Sequence, residues 1–254
     1  IIDQIRDGRV YPAQDSPIGS MWRADWNNFA PRVGFAWDVT GDGKTSLRGG
    51  YGIGYERNFG NVTFNVLFNP PNYAVGTFDA GVDVPSLPIY VDNAGPLGGV
   101  AGVTKTIPRS SLRHVDQNIE TAYAHFYSLS LQRELFANTV ATVEYTGSSG
   151  RKQYDLADPN KIGAAFVYQG IGGEFDRPNT QYSAYNTRGN RGKSQYHGVS
   201  FGLESRSIGN TGLQFTARYT LAQAKDNLSS TFSEGGNSNF QLGYLDAFDP
   251  ELDY

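Results

Sequence analysis

The stretch PRVGFAWDVTGDGKTSLRGGYGIGYER, residues 31–57, consists of two alternating segments on either side of a glycine-rich reversal at residues 40–44. In the first segment Val33, Phe35 and Trp37 share one parity, and the positions between them are small or charged. The second segment repeats this alternation, with glycine at most of the small positions. Because side chains alternate strictly along a strand, the stretch predicts a β-hairpin with one apolar and one polar face.

The length of the two segments distinguishes between two kinds of β-protein. Alternation alone is equally typical of a soluble sandwich, which also has one buried and one wet face. Each segment, however, can extend over roughly 9–11 residues, which a tilted strand needs to cross a bilayer. Strands of soluble proteins usually have about 5–6 residues. The hairpin is therefore predicted to belong to an outer-membrane β-barrel.

The composition of the chain is consistent with a β-rich membrane protein. Among 254 residues there are 31 glycines and 16 tyrosines, and only 18% of the residues are charged. The net charge of −4 and the absence of a long basic run argue against binding of nucleic acid. Without cysteine the chain has no disulfide framework and no thiolate zinc site. It also lacks about 18 consecutive apolar residues, so no transmembrane helix is predicted.

Three hairpins and three long connections follow one another along the chain. The hairpins are predicted at about residues 29–57, 122–149 and 196–224, and the long loops at about residues 58–121, 150–195 and 225–254. Short reversals that alternate with long connections are typical of membrane barrels, which have short periplasmic turns and long extracellular loops. The first strand of each hairpin is accordingly expected to run toward the periplasm.

Alternation assigns the strand residues to two faces of the predicted barrel wall. The polar face is expected to line the lumen, because an Arg or Lys in lipid at the bilayer midplane costs roughly 2–4 kcal/mol. The candidate lumen-facing residues are Arg32, Arg48, Gly50, Gly52, Gly54, Glu134, Glu144, Glu204, Gln214 and Arg218. The apolar face is expected to contact lipid. The candidate lipid-facing residues are Val33, Phe35, Trp37, Tyr51, Ile53, Leu129, Leu131, Val143, Phe201, Leu203, Phe215 and Tyr219.

Several motifs superficially resemble ligand-binding loops but lack a required residue. Residues 38–45, DVTGDGKT, have Asp38 where a phosphate-binding loop needs Gly, and Gly49 stands where an EF-hand needs a bidentate Glu. Calcium at Asp38 and Asp42 is therefore a minor alternative to a simple hairpin turn. The glycines of residues 50–54 alternate along a strand and do not form a dinucleotide loop. We predict no catalytic residue, no cofactor, no metal site and no enzymatic activity.

Tyrosines are frequent in the predicted outer loops. Those that could offer an aromatic surface for a carbohydrate or peptide are Tyr73, Tyr90, Tyr168, Tyr182, Tyr185 and Tyr196. The same residues are also typical of ordinary hydrated loops that border a membrane, and this simpler interpretation is favoured.

Six segments of the chain resemble the barrel of TonB-dependent outer-membrane receptors. They are residues 27–38, NNFAPRVGFAWD, residues 41–45, GDGKT, residues 48–52, RGGYG, residues 128–135, SLSLQREL, residues 144–150, EYTGSSG, and residues 213–227, LQFTARYTLAQAKDN. The resemblance is greatest to the Oar-like receptors, which carry a carboxypeptidase-regulatory-like domain at the N-terminus.

The resemblance implies an all-β, antiparallel barrel of 22 strands in the bacterial outer membrane. It also implies an N-terminal plug domain and contact with an inner-membrane TonB-type complex that supplies energy for passage of a solute. The expected partners of this chain are therefore outer-membrane lipid, a plug domain and the remaining barrel strands. Neither plug nor TonB-binding segment is recognisable in the sequence, so the chain is expected to be part of a longer protein.

Two other classes of function remain open from the sequence. One is a structural or adhesive cell-surface protein built on the same sheet, and the other is a soluble carbohydrate-binding β-domain. A requirement for detergent separates the last class from the first two. A plug domain in the full-length protein separates a receptor from an adhesin.

Overall fold

The computed structural model describes residues 15–56, 60, 69, 111–160, 178–180, 182, 184–208, 211–228, 244 and 249–254. The chain forms two compact units. The smaller unit consists of residues 1–10, 64–114 and 158–186, and the larger unit contains the rest.

The regular structure of the described residues is almost entirely antiparallel β-sheet. The strands are β1 (Arg32–Asp38), β2 (Thr45–Tyr55), β3 (Leu112–Val115), β4 (Tyr123–Phe136), β5 (Thr139–Ala157), β6 (Tyr185–Ser205) and β7 (Phe215–Asp226). The strand order is β1-β2-β4-β5-β6-β3, and β7 also pairs with β6. A short 3-10 helix covers Pro250–Asp253. The predicted all-β, antiparallel fold is thus confirmed, whereas closure into a barrel of 22 strands stays a prediction.

The first hairpin lies within its predicted bounds. Its turn is closed by Asp38, whose two carboxylate oxygens accept hydrogen bonds from the backbone amides of Gly41, at 3.0 Å, and Gly43, at 2.8 Å. Both glycines have positive φ, 72° and 73°, a conformation that side chains disfavour. The glycine-rich reversal therefore provides the backbone geometry that antiparallel pairing of β1 and β2 requires.

The second and third hairpins extend further than the sequence predicted. β5 continues to Ala157 and β6 begins at Tyr185, so the predicted loop over residues 150–195 is wrong at both ends. β5 has 19 residues and β6 has 21. The connection between these strands is correspondingly shorter.

Two β-bulges explain why alternation ends before the strand does. The register between β5 and β6 shifts between Gly150 and Gln153, and again between Gln153 and Asp155. Lys152, inside the first bulge, has a φ of 52°. Because each extra residue interrupts the two-residue period, the sequence pattern disappears although the strand continues.

The predicted loop over residues 58–121 also contains a strand. β3 has only four residues, LRHV, and its Leu112 amide donates to the carbonyl of Ala184 at 2.8 Å. Such a short segment, with two polar residues in the middle, is too brief to show a two-residue period.

The tyrosines expected in outer loops have different locations. Tyr185 and Tyr196 belong to β6, which corrects their assignment to a loop. Tyr182 lies 5.9 Å from Tyr185 between ring centroids. The other three, Tyr73, Tyr90 and Tyr168, lie outside the described residues.

Buried apolar side chains of the larger unit are concentrated away from the paired segments of the hairpins. They are Val115, Ile119, Ala122, Tyr154, Leu156, Ala157 and Tyr244. By contrast, large apolar side chains within the hairpins are exposed, for example Val33 at 68% and Tyr219 at 62%. The sheet thus presents an apolar face that no other described residues of this chain cover.

Candidate functional site

One face of the sheet carries most of the charged and small residues of the hairpins. The register across five strands aligns one row, Arg48, Ser130, Glu144, Ser200 and Thr220. The adjacent row is Ser46, Gln132, Thr142, Gly202 and Arg218. The Nε of Arg48 donates to the Oγ of Ser46 at 3.1 Å, and the hydroxyls of Ser200 and Thr220 are 2.8 Å apart. This face can bind water and polar solutes along its whole width.

The predicted lumen-facing residues share this polar face. In addition to the rows above, Glu134 and Glu204 both align with Val140, and Arg32 aligns with Gly52. Gln214 is the exception, because β7 begins one residue later, at Phe215. The sequence predictions therefore identify one continuous surface.

A shallow groove of about 530 Å³ crosses the polar face near one end of the sheet. The polar-face residues that line it include Arg32, Gly50, Gly52, Gly54, Phe126 and Tyr196. A Cβ on Gly54 would be 3.2 Å from the ring of Phe126, and a Cβ on Gly52 would be 3.3 Å from the Cγ of Arg32. The two glycines therefore leave room for the larger side chains beside them.

The opposite face is apolar across six strands. Its central row is Trp37, Leu47, Leu131, Val143, Phe201 and Tyr219. Each member from Leu47 onward is adjacent in sequence to a member of the polar rows, as alternation requires. All twelve predicted lipid-facing residues share this apolar face, because their strand partners have the same parity throughout.

Two equivalent tyrosine–histidine pairs lie on the apolar face, and alternation alone does not predict them. The hydroxyl of Tyr51 is 2.7 Å from Nδ1 of His125, and that of Tyr145 is 2.7 Å from Nδ1 of His197. Both pairs are stacked, with interplanar angles of 29° and 17°. Alternation already gave these residues the parity of the apolar face, but their pairing depends on strand register, which the sequence does not reveal.

A polar cluster around the buried side chains of Asp155 and Tyr244 lies beyond the hairpins, on the extension of β5 and β6. The Nε of Arg191 donates to the carboxylate of Asp155 at 2.9 Å, and its guanidinium is 5.0 Å from the ring centroid of Tyr244. Burial, and secondarily the charge of Asp155, raises the pKa of the Tyr244 hydroxyl far above its usual value. The cluster thus attaches Tyr244 to the extended end of the sheet.

The hairpin turn at residues 38–44 has the features of a structural turn. Hydrogen bonds from the Thr40 hydroxyl and the Lys44 amide lower the pKa of the Asp42 carboxyl. The carboxylates of Asp38 and Asp42 are thus already hydrogen-bonded within the turn. No group of three or more potential metal ligands occurs among the residues that the structure describes.

The fold is that of a membrane-barrel wall. The outer membrane transporter YddB from Escherichia coli has a similar structure, with a TM-score of 0.51 and 15% sequence identity over 80% of this chain and 21% of that chain. The siderophore receptor PirA from Pseudomonas aeruginosa was also found, with a TM-score of 0.39 and 12% identity over 78% of this chain and 28% of that chain. This chain thus spans about a fifth of the length of the transporter. No curated protein matches the sequence.

The family follows from the sequence over nearly its whole length. Residues 3–254 match the family described as outer membrane beta barrel domain, and the chain belongs to that family. The protein is therefore located in the bacterial outer membrane. Within the described residues, no helix is long and apolar enough to cross a membrane.

Proposed function

We propose that this chain forms part of the barrel wall of a TonB-dependent transporter that moves a solute across the outer membrane. The observation that carries the proposal is the opposition of two complete rows. An apolar row crosses six strands, with Trp37 at one end and Tyr219 at the other. A polar row crosses five strands on the reverse side, with Arg48 at one end and Thr220 at the other. A wall between acyl chains and an aqueous interior needs both.

Energetics determine which face meets lipid. Exposed apolar side chains such as Val33 and Tyr219 gain about 25 cal/mol for each Å² of apolar surface that acyl chains cover. Arg48 or Arg218 on the lipid side would instead cost roughly 2–4 kcal/mol near the midplane. The apolar face therefore contacts lipid, and the polar face lines the passage. The same exposure argues against a soluble carbohydrate-binding domain.

The direction of the strands follows from the lengths of their connections. Residues 39–44 join β1 to β2, and residues 137–138 join β4 to β5, so these short turns lie on the periplasmic side. The long segments between the hairpins then lie outside the cell, together with the extended ends of β5 and β6. Outer segments capture the solute before it enters the passage.

Energy coupling and the finer classification rest on the resemblance to Oar-like receptors. A full barrel of 22 strands needs many more strands than this chain contributes, and it also needs a plug domain. In the proposed mechanism, an inner-membrane TonB-type complex acts on the plug, which rearranges against the polar face. The solute passes through the opening without chemical change.

Cysteine labelling of the full-length protein in outer membranes tests the face assignment. The chain has no cysteine, so a single cysteine introduced here is not confused with another in these 254 residues. We expect Ser200→Cys to react with a small, charged maleimide and Phe201→Cys to be protected. Equal labelling of these neighbours in a folded barrel would contradict the wall assignment.

Energy coupling needs a separate experiment. We expect the full-length protein to co-purify with the inner-membrane energy-transducing protein after crosslinking in cells. Deletion of the segment that precedes the plug should abolish the crosslink and leave the barrel in the outer membrane. A barrel that never forms the crosslink, with the segment intact, would favour the structural or adhesive class.

A further inference from the structure

The carboxyl group of Asp155 is enclosed at the end of the sheet where β5 and β6 extend beyond the hairpins. Its side chain is fully buried, and the Nε of Arg191, in β6, donates to Oδ2 at 2.9 Å. Asp155 aligns with Gly189, also in β6, and a Cβ on Gly189 would be only 2.7 Å from Oδ1. The β6 backbone therefore packs directly against the second carboxyl oxygen and excludes water from that side.

Tyr244, from the segment that follows β7, acts on the same carboxyl group. Only 6% of Tyr244 is exposed, and its ring centroid is 5.0 Å from the Arg191 guanidinium. The Tyr244 hydroxyl and Asp155 Oδ1 are both buried, and neither makes a hydrogen bond of regular geometry with a residue that the structure describes. As an anion, the carboxyl group would thus depend on Arg191 for compensation in a pocket that excludes water.

Such a pocket favours the neutral form of the carboxyl group. Burial penalises a carboxylate, and the penalty is relieved when the group takes up a proton. Burial accordingly raises the pKa of Asp155 above its ordinary value of 3.8, although the charge of Arg191 acts in the opposite direction. Arg191 does not need the carboxylate for solvation, because 40% of its side chain is exposed. A protonated Asp155 can also donate a hydrogen bond to the Tyr244 oxygen, whereas a carboxylate can only accept one.

The other titratable groups of this cluster keep their charge as the medium becomes acid. The groups that act on Asp155 are Arg191, from β6, and Tyr244, from the segment after β7. Arginine stays protonated. The Tyr244 hydroxyl also stays protonated at acid and neutral pH, because burial raises its pKa. Asp253, in the 3-10 helix, acts on Tyr244 more weakly than Asp155 does. Asp155 is therefore the residue that makes the cluster sensitive to acid.

We propose that proton uptake by Asp155 strengthens the attachment of Tyr244 to the extended ends of β5 and β6. When Tyr244 detaches, water reaches the carboxyl group, which then binds a proton with the ordinary affinity of an aspartate. The attached state binds the proton more tightly. Attachment therefore strengthens as pH falls through the raised pKa of Asp155, and it reaches its limit below the ordinary pKa.

The attachment itself does not depend on the proposed function. That function adds only that these strand ends lie outside the cell, where they meet the pH of the medium. The cluster would then hold Tyr244 more firmly in an acid medium than in a neutral one.

Fluorine NMR of the full-length protein in detergent measures the attachment, with 3-fluorotyrosine at position 244 alone. At a urea concentration that populates attached and detached Tyr244, the two resonances give the ratio of the two states. We expect this ratio to rise as pH falls from neutral. The rise should reach about tenfold per pH unit between the raised and the ordinary pKa, because one proton is taken up with each attachment. The carbon-13 resonance of the Asp155 carboxyl should titrate with a midpoint above 3.8.

Asp155→Asn separates the carboxyl group from other effects of pH, because asparagine has the shape of aspartate without its charge. Its ratio of attached to detached Tyr244 should not depend on pH, and should be close to that of the native protein at the acid limit. Glu251→Gln is the matched control. It removes an exposed carboxylate that pairs with Lys193, and the dependence on pH should remain.

Three outcomes would overturn the proposal. They are a native ratio that stays constant or decreases as pH falls, an Asp155 midpoint at or below 3.8, and a dependence on pH that persists in Asp155→Asn. None of these measurements needs a solute or a TonB-type complex. Failure of the proton-linked attachment is therefore distinguishable from failure of the proposed function, which the labelling and crosslinking experiments test.

Discussion

The side chain of Asn69 pairs with the backbone of Arg113 as another peptide group would. Its Oδ1 accepts from the Arg113 amide at 2.7 Å, and its Nδ2 donates to the Arg113 carbonyl at 2.7 Å. A carboxamide has the same donor and acceptor as a peptide unit, so it can satisfy both backbone groups at once. Arg113 lies in β3, and the side chain thus takes the place of a neighbouring strand.

Two other asparagines use the same interaction. Asn160 pairs reciprocally with the backbone of Asn179, at 2.7 and 3.0 Å. Asn227, immediately after β7, accepts from the Lys193 amide at 2.7 Å and donates to the Arg191 carbonyl at 3.2 Å. Where strand pairing ends, these side chains satisfy backbone groups that would otherwise need water. They therefore hold neighbouring backbone segments together at these points.

Asn160→Asp should loosen the base of the segment between β5 and β6. The substitution removes the donor to the Asn179 carbonyl and introduces a charge at a fully buried position, so we expect a local loss of about 1–3 kcal/mol. Hydrogen exchange of the Asn179 amide should accelerate accordingly. Asn28→Asp is the control, because Asn28 also loses a donor but is exposed. Unchanged protection of Asn179 in the Asn160 variant would show that the pair contributes little.

Val143→Arg and Thr142→Arg should differ strongly in their effect on membrane folding. The two residues are neighbours in β5 and lie in the apolar and polar central rows. In the proposed barrel wall, an arginine at position 143 would face acyl chains, with an expected loss of about 2–4 kcal/mol, whereas an arginine at position 142 would face water. Refolding of the full-length protein into lipid vesicles, followed by heat-dependent electrophoretic mobility, measures the difference. Similar folding yields for both variants would contradict the assignment of faces.

The two faces could be predicted from the sequence because alternation is a local property. Val33 and Trp37, or Val143 and Tyr145, need no knowledge of a partner strand to share a face. The extension of β5 beyond Gly150 could not be predicted, because the bulge around Lys152 interrupts the period. The sequence therefore predicts that a strand is present where its pairing is regular, but it does not predict where that strand ends.

The tyrosine–histidine pairs and the asparagine contacts depend on information that a single sequence lacks. Tyr51 and His125 are 74 positions apart, and Asn69 and Arg113 are 44 positions apart. The register between β2 and β4 brings Tyr51 and His125 together, and the tertiary fold brings Asn69 and Arg113 together. Composition indicated that tyrosines would border the membrane, but not that two of them would hydrogen-bond histidines.

Gly147→Ala should disturb the group of aromatic side chains around Tyr127 on the apolar face. The Tyr127 ring lies over Gly147, so an added Cβ would collide with it and displace the ring. Because Tyr127 contacts both Tyr145 and His197, we expect the Gly147→Ala variant to show altered chemical shifts for the His197 ring and a lower yield of folded protein. Gly50→Ala is the matched control, since its added Cβ would be 3.7 Å from the Ser128 Oγ, an ordinary contact. A His197 spectrum that both variants leave unchanged would exclude this coupling.

Asp25 should make the attachment of the segment before β1 sensitive to acid. The Thr121 amide donates to its carboxylate at 2.8 Å, and this bond is the main reason why the pKa of Asp25 lies below its ordinary value of 3.8. A carboxyl group with a lowered pKa in the folded state stabilises that state above the unfolded pKa, and the contribution is lost as pH falls through the folded pKa. Protection of the Thr121 amide from hydrogen exchange should therefore be greater in the native protein than in the Asp25→Ala variant at about neutral pH. The two proteins should converge as pH falls well below the ordinary value of 3.8. A constant difference between the two proteins across this range would mean that the carboxylate does not hold the segment, and that the backbone bond from Arg23 to Gln117 is sufficient.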